Sequence, residues 1–531
     1  MSDTFVSSDV LQQDLFDRLS SMFGREVPLY AKSLAVNHAC NKVVVNLLTQ
    51  KFHGFNRNEE QLLRTGRERH GAIRIGREDE FRWITRYFAC FGMEPHDFYD
   101  MTMLGEKSQP VIATAFRSRN HPENRIFASL LRPEYFGPKV SNRIHSALKD
   151  RQVISTNAQS IIEKCERDGG LQVEDGRSLV AEGSERIFRW TGNATCRSLY
   201  QDLCDMGYKI AADICCFPSH HLNHLTPNSL SIDLFSSAMK WRMGEMSEDS
   251  FAQQAFELLE RLHARVDSDW LMLHFSDLSH AQMDSYEDMV VKRDSLLNHA
   301  SALVESLRQK EFDFTSYSHN GYKDRTEGPD EDSQVLLRQD SYRALTESIA
   351  FVDEVPPYQS CHTARFGEIE QRFYATTSLG RDLYDKCLAL SHKANCEGES
   401  NSNPFGSIPK KLNELIAEGL VFAEFEPNTD AVPSDEGLTG LSVQDLIERG
   451  LLLYRGQRYE DFLPFSAAGI FASNLDHYGT ESSVEHRSPY RKDFFERIAG
   501  REFVSSAELY SSIHQNSLQS SLEYLGVAFG D

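Results

Sequence analysis

The residues best suited to chemistry sit in three short segments far apart in the chain. His-Leu-Asn-His-Leu-Thr-Pro (221–227) offers His221 and His224, and Arg-Phe-Gly-Glu-Ile-Glu-Gln-Arg (365–372) offers Glu368 and Glu370. His70 lies in Arg-His-Gly-Ala-Ile-Arg-Ile-Gly (69–76). Together the segments can supply two imidazoles and one carboxylate. That donor set suits a ferrous ion with open positions for a 2-oxo acid and dioxygen. Little else in the sequence points to chemistry.

The elements around these residues decide whether they can meet. Read as a strand, 69–75 places His70, Ala72 and Arg74 on one face and Gly71, Ile73 and Ile75 on the other. Four residues of strand separate His70 from Arg74 by roughly 13 Å of backbone. A metal-bound imidazole and a guanidinium at that spacing suit a dicarboxylate, with its 2-oxo acid end on the metal and its far carboxylate on Arg74. The plainer use is a half-buried His beside a surface Arg. His220, His221 and His224 crowd before Thr226-Pro227, and only one of them need hold a metal; an exposed polar strand end is the alternative. Alternation puts Phe366, Glu368, Glu370 and Arg372 on one face, where the carboxylates serve either a metal or an ion pair with Arg372. A fourth segment, Leu-Pro-Phe-Ser-Ala-Ala-Gly-Ile-Phe (463–471), is rich in small residues and lets backbone come close to a ligand or to another strand.

Composition narrows the class. The 531 residues are 40% hydrophobic and 25% charged, which reads as globular and large enough for two or more lobes. Fifty-six basic against 79 acidic side chains give a net charge of −23, which argues against non-specific nucleic-acid or anionic-membrane binding. One locally basic pocket for a small anion remains compatible with that balance. The first residues carry neither a basic start nor an apolar run, so no signal peptide is expected. No apolar stretch reaches the about eighteen residues a spanning helix needs. Ten cysteines without a Cys-x-x-Cys pair, two of them adjacent at 215 and 216, predict free thiols in a reducing cytoplasm.

Periodicity predicts helix over 9–50, where Leu11, Leu15, Leu19 and Phe23 recur every fourth residue, and again from Glu78 to Phe91. Strands are expected at 111–117 and 125–132, mainly helix over 140–207 with a break at the Asp-Gly-Gly of 168–170, and a second strand-like block from Tyr208 through Ile214 to Leu225. Residues 239–334 read as an insertion. Its apolar stripes, Leu258, Leu259 and Leu262 and then Leu296, Leu303 and Leu307, mark amphipathic helices, and its polar end at 317–334 suggests a linker. Strand-like material returns at 335–337 and 364–374. The resulting division is an N-terminal helical segment (1–60), a first half-site with a helical lobe (61–238), the insertion (239–334), a second half-site (335–478) and a helical tail (479–531).

Taken in order, several segments resemble the 2-oxoadipate dioxygenase/decarboxylase family, of the vicinal-oxygen-chelate superfamily and similar to hydroxyphenylpyruvate dioxygenase and hydroxymandelate synthase. They are Glu-Arg-His-Gly-Ala-Ile-Arg (68–74), Asn-His-Leu-Thr-Pro (223–227), Arg-Gln-x-Ser (338–341), His-Thr-Ala-Arg-Phe-Gly-Glu-Ile-Glu-Gln-Arg (362–372), and Tyr-Glu-Asp-Phe-Leu-Pro (459–464) with Ser-Ala-Ala-Gly-Ile-Phe (466–471). The resemblance implies an α+β fold in which a curved mixed sheet, decorated with helices, encloses a metal site. It also implies Fe(2+) held by His70, His224 and Glu368, with Arg74 on the distal carboxylate and Phe465–Ser466 lining the pocket beside His70. His224 is preferred to His221 because Asn-His-Leu-Thr is similar to the start of a superfamily module, and Glu368 to Glu370 because Glu-Ile-x-Gln-Arg is similar to the family's ligand segment.

The implied reaction takes a 2-oxo dicarboxylic acid and O2, releases CO2 and hydroxylates the shortened acid: 2-oxoadipate gives 2-hydroxyglutarate, a step of lysine degradation. Two departures bear on the substrate. Phe465 stands where family members commonly have Val, and Asn228 where they have Arg. A different 2-oxo acid on the same site, or a scaffold derivative using the stripes of 251–265 and 290–309 as its surface, are the competing expectations.

Overall fold

The computed structural model describes residues 5–103, 108–309, 312–323, 326–397, 403–431, 440–463 and 489–527, without the side chains of 68–69 and 392–397. The apolar stripe of 9–50 becomes two helices, α1 (Ser8–Glu26) and α2 (Pro28–Lys51), divided at Val27 by the proline that opens α2. Their buried faces, including Leu15, Leu19, Val36 and Leu47, share one core with α3 (Glu78–Ala89).

Under these helices lies a five-stranded sheet built from β1 (Glu68–Ile75), β2 (Met93–Asp100), β3 (Val111–Ser118), β4 (Arg125–Leu131) and β5 (His224–Pro227), in the order β2-β3-β4-β1-β5. β1 runs parallel to β4 and antiparallel to β5, with Ala72 opposite His224 and His70 opposite Thr226. The alternation expected of β1 divides the molecule. Ile73 and Ile75 enter the core under α1–α3, while Ala72, on the other face, enters a second core with Phe127, Ile214 and Phe462. Gly71 is needed between them, since a Cβ there would meet the Leu225 side chain at 2.9 Å and the His224 carbonyl at 3.2 Å.

The largest departure from the sequence reading is at 208–225. The expected strand is instead α4 (Lys209–Cys216), and only 224–227 is extended. Lys-Ile-Ala-Ala-Asp-Ile-Cys-Cys is buried along nearly its whole length, and so short an apolar run fits either state. The break foreseen at 168–170 is a helix end, with Gly169 at φ +79°.

A second sheet adjoins the first. β6 (Leu337–Ser341) pairs with the later strand β9 (Glu368–Arg372), with Ser341 opposite Glu368 and Gln339 opposite Glu370. Between them a hairpin, β7 (Thr346–Phe351) and β8 (Tyr358–Thr363), turns away. β9 runs beside the end of β5 through the bridge Asn228 to Glu370, and the Ser229 N–H donates to the Glu370 carbonyl at 2.8 Å. Gly367 admits the Tyr342 ring, which a Cβ would meet at 2.5 Å. The two sheets thus form one curved surface with β1, β5 and β9 side by side at its bend.

Residues 239–334 supply α6 (Glu248–Arg265) and α7 (Arg293–Leu307), which follow α5 (Ile232–Arg242). Leu258, Leu259, Leu262, Leu303 and Leu307 are buried in the same core as α2, so these stripes are consumed by packing. The described part of 317–334 is no free linker: Glu327 exchanges both backbone hydrogen bonds with Gln339, extending the second sheet. A final helix, α8 (Ser506–Leu525), packs on β10 (Ala423–Pro427), which pairs with β11 (Leu452–Gly456). Among the described residues no helix is long and apolar enough to cross a membrane.

Candidate metal centre

The bend brings His70 from β1, His224 from β5 and Glu368 from β9 to one point. Glu368 Oε2 lies 3.3 Å from His70 Nε2 and 3.3 Å from His224 Nε2, and donor atoms of the three all fall within 4.8 Å of one another. Donors about 2.1 Å from a shared cation and 90–109° apart are separated by roughly 3.0–3.4 Å, so the spacing is that of a ligand set. All three residues are buried, and among the described residues no other group of three His, Cys, Asp or Glu comes together this way.

Their hydrogen bonding is incomplete. Thr226 Oγ1 donates to Glu368 Oε2 at 2.9 Å, but Glu368 Oε1 and both ring nitrogens of His224 have no hydrogen-bond partner. Each such buried atom costs about 1–3 kcal/mol, which a cation at the shared point offsets. Burial, reinforced by His70 and Arg74, holds His224 well below the usual imidazole range, so it is neutral and has a lone pair to give. Phe366 stacks on His224 with centroids 4.9 Å apart, and Phe462 meets the His70 ring edge-on at 4.9 Å. These rings hold the imidazoles in place and keep water off them.

Glu370, the alternative carboxylate, points at the other nitrogen of His70. Its Oε2 is 2.9 Å from His70 Nδ1, which leaves Nε2 for the metal side. Arg372 donates to both Glu370 oxygens, at 2.6 and 2.8 Å, and Arg125 Nη2 donates to Oε1 at 2.9 Å. Burial raises the Glu370 carboxyl, but Arg372, His70 and Arg125 outweigh it and hold the group well below the ordinary range as an anion. The arginines are anchored in turn. Arg125 donates to Glu460, Arg372 to the carbonyls of Tyr459 and Asp461, and the Tyr510 hydroxyl of α8 donates to Asp461 and accepts from the Glu460 N–H.

His221, the alternative imidazole, is in a different cluster. Its Nε2 lies 3.1 Å from Asp213 Oδ1 on α4, the oxygen that also accepts from His362 Nε2 at 3.1 Å. Arg74 reaches the same carboxylate, donating from Nη1 to Oδ2 at 2.7 Å. Phe465 and Ser466 lie outside the described residues. The sequence reading did not find Glu370 as a partner of His70, nor Asp213, Arg125 and Asp461. A signal existed for two of them. Glu370 and Arg372 are two residues apart on one face, and Asp213 is the single acid in an octapeptide whose only other charged residue is Lys209.

A mixed sheet that brings two buried imidazoles and one carboxylate to one point defines a protein with the donor types of a metal-ligand set. The comparisons make it specific. The family model described as 2-oxoadipate dioxygenase/decarboxylase matches residues 15–255 and 243–474. The 2-oxoadipate dioxygenase/decarboxylase of Pseudomonas putida is 30% identical over 99% of both chains, and that of Escherichia coli 28% identical over 96% of this chain and 98% of its own. The crystal structure of the hydroxyglutarate synthase from Pseudomonas putida in complex with 2-oxoadipate superposes with a TM-score of 0.68 at 28% identity, covering 99% of this chain and 100% of that one. The chain belongs to the 2-oxoadipate dioxygenase/decarboxylase family, and it is an enzyme.

Proposed function

We propose that this enzyme converts 2-oxoadipate and O2 to 2-hydroxyglutarate and CO2 with one Fe(II) held by His70, His224 and Glu368. The curved sheet is then of vicinal-oxygen-chelate type, with β1, β5 and β9 as the ligand strands. The observation that carries the reading is the convergence of three buried donors, with Glu368 Oε1 and both ring nitrogens of His224 left without a hydrogen-bond partner. Support for the substrate comes from the relatives' names and from the acid bound in the Pseudomonas putida structure.

When bound, the ferrous ion would supply a chelation point for the 2-oxo and carboxylate oxygens of the acid and the electrons that activate dioxygen. The chain's residues do the rest. Two neutral imidazoles and one carboxylate leave a divalent ion with one net positive charge, which favours an anionic chelating acid over water. Glu370 keeps His70 in the orientation that turns Nε2 inward, and Phe366 and Phe462 exclude water from the ligand side. Arg74, four residues along β1 on the same face as His70, binds the far carboxylate and sets the acid's direction. The segment around Phe465 and Ser466 lines the pocket. Dioxygen is the co-substrate, and lysine degradation is the metabolic setting that goes with this acid.

The test is anaerobic loading with Fe(II), followed by 2-oxoadipate and oxygen. Stoichiometric CO2 and 2-hydroxyglutarate are expected, and both disappear in Glu368→Ala. Because Phe465 is larger than the family's usual Val, the assay includes a panel of shorter and longer 2-oxo acids. A much faster turnover of another member would reassign the substrate while keeping the site.

A further inference from the structure

The cluster that captured His221 is used by no step above. Asp213, His221 and His362 are each at most 3% exposed, and they come from α4, the loop before β5, and β8. All three meet at one carboxylate, whose Oδ2 accepts from Arg74 while its Oδ1 accepts from His362 and lies against His221. The far side of His362 is fixed as well, with the Tyr200 hydroxyl 2.9 Å from Nδ1. Trp190 and Phe217 pack on both imidazoles, with centroids 4.6 to 5.9 Å apart.

Neutralising a buried arginine takes one carboxylate and nothing more. Here two imidazoles occupy the second oxygen, so Asp213 has no freedom to rotate and the guanidinium it grips at Nη1 has none either. Arginine presents five N–H donors in a rigid planar fork, so fixing one edge fixes where the other edge points. The helix that carries Asp213 packs directly on β1.

We propose that Asp213, clamped by His221 and His362, is a positioning residue that sets the reach and aim of Arg74 and so makes the site select 2-oxo acids bearing a second carboxylate. This rests on the reading that Arg74 binds the distal carboxylate. A fixed guanidinium measures chain length: an acid whose far carboxylate falls short of the fork, or lacks it, forfeits a charge-assisted hydrogen bond, whereas a loose guanidinium would follow acids of several lengths.

The experiment compares 2-oxoadipate with 2-oxohexanoate, which has the same carbon chain and no second carboxylate, in the iron-loaded full chain. Asp213→Asn keeps the shape of the side chain and removes its charge. The preference for 2-oxoadipate, as a ratio of kcat/KM values, is expected to fall by about tenfold or more, chiefly through KM. Iron content by elemental analysis stays at that of the unmodified enzyme. His362→Gln, which removes one clamp, is expected to move the same ratio in the same direction and decides the matter if Asp213→Asn does not fold. Equal losses on both acids in these variants would mean a merely structural network and overturn the proposal. Arg74→Lys is run alongside. If it collapses the preference while Asp213→Asn and His362→Gln do not, Arg74 keeps its role and the positioning inference alone fails. If Arg74→Lys leaves the preference intact, the reading of Arg74 fails and takes this inference with it.

Discussion

Two buried clusters of imidazoles and carboxylate lie on the same face of β1, one around His70 and one around Arg74, and they are finished in opposite ways. At His70, His224 and Glu368 the donor atoms satisfy each other only in part: His70 Nε2 and Glu368 Oε2 are hydrogen-bonded at 3.3 Å, while Glu368 Oε1 and both nitrogens of His224 have no partner. Around Arg74 one guanidinium and two imidazoles close on the single carboxylate of Asp213. The same residue types therefore make either a partly satisfied donor set or a completed strut. What separates them is whether a positive charge is already built into the chain.

The comparison breaks most sharply under substitution. Glu368→Ala should abolish product formation and iron retention, measured by elemental analysis, yet cost the metal-free chain less in urea unfolding than the loss of Asp213, because only one of its two oxygens is hydrogen-bonded and no arginine is paired with it. Asp213→Ala should do the reverse. It strands Arg74 as a buried unpaired charge, a change expected to cost about 3–5 kcal/mol by the same urea titration. Comparable destabilisation in both variants would erase the distinction.

Metal addition sharpens it. Anaerobic Fe(II) at a hundred times its dissociation constant should stabilise the chain by about 2.7 kcal/mol, read as a raised thermal midpoint. It should leave Glu368→Ala unmoved and should raise Asp213→Asn as much as the unmodified chain. Glu370→Gln belongs between the clusters, because it touches a ligand without being one. Its iron affinity should drop by about 10- to 100-fold, the usual consequence of loosening a ligand's partner. Unchanged affinity by competition with a chelator would remove Glu370 from the site.

The smallest expected effect is in acid. Burial raises the Asp213 carboxyl, but His221 and Arg74 outweigh it and hold the group well below the ordinary range. Asp461, beside Arg117, and Asp233, beside Arg338, are pulled down to about 2. At these three carboxylates the folded chain then binds fewer protons than the unfolded one. The stabilisation is full above the unfolded carboxylate value of about 4 and is lost as pH falls below it. Thermal midpoints should drop between pH 5 and pH 3, less steeply in Asp213→Asn; an identical slope would show that Asp213 is not part of the cause.

The sequence carried much of this. Alternation in 69–75 placed His70 and Arg74 on one face because a strand covered by different cores on its two sides must alternate its chemistry, and Gly71 marks where the neighbours press closest. The choice between His221 and His224, or Glu368 and Glu370, was beyond it. Both members of each pair are buried, and their uses depend on residues hundreds of positions away. α4 was illegible for a related reason, since so short an apolar run, buried along nearly its whole length, fits either state. The small-residue segment at 463–471 falls outside the described residues from 464 onward, Phe465 and Ser466 included.

The Tyr510 hydroxyl on α8 ties the Glu460 backbone and the Asp461 carboxylate, and through them Arg125, Arg372 and Glu370, to the far end of the chain. On the ribosome the three proposed ligands have all been made once residue 368 has emerged, but the brace behind His70 waits for α8, which begins only at Ser506. The order of synthesis thus separates the gathering of the donors from the fixing of one of them. A chain cut before residue 505 would keep His70, His224 and Glu368 and lose the hydroxyl that ties Glu460 and Asp461 in place.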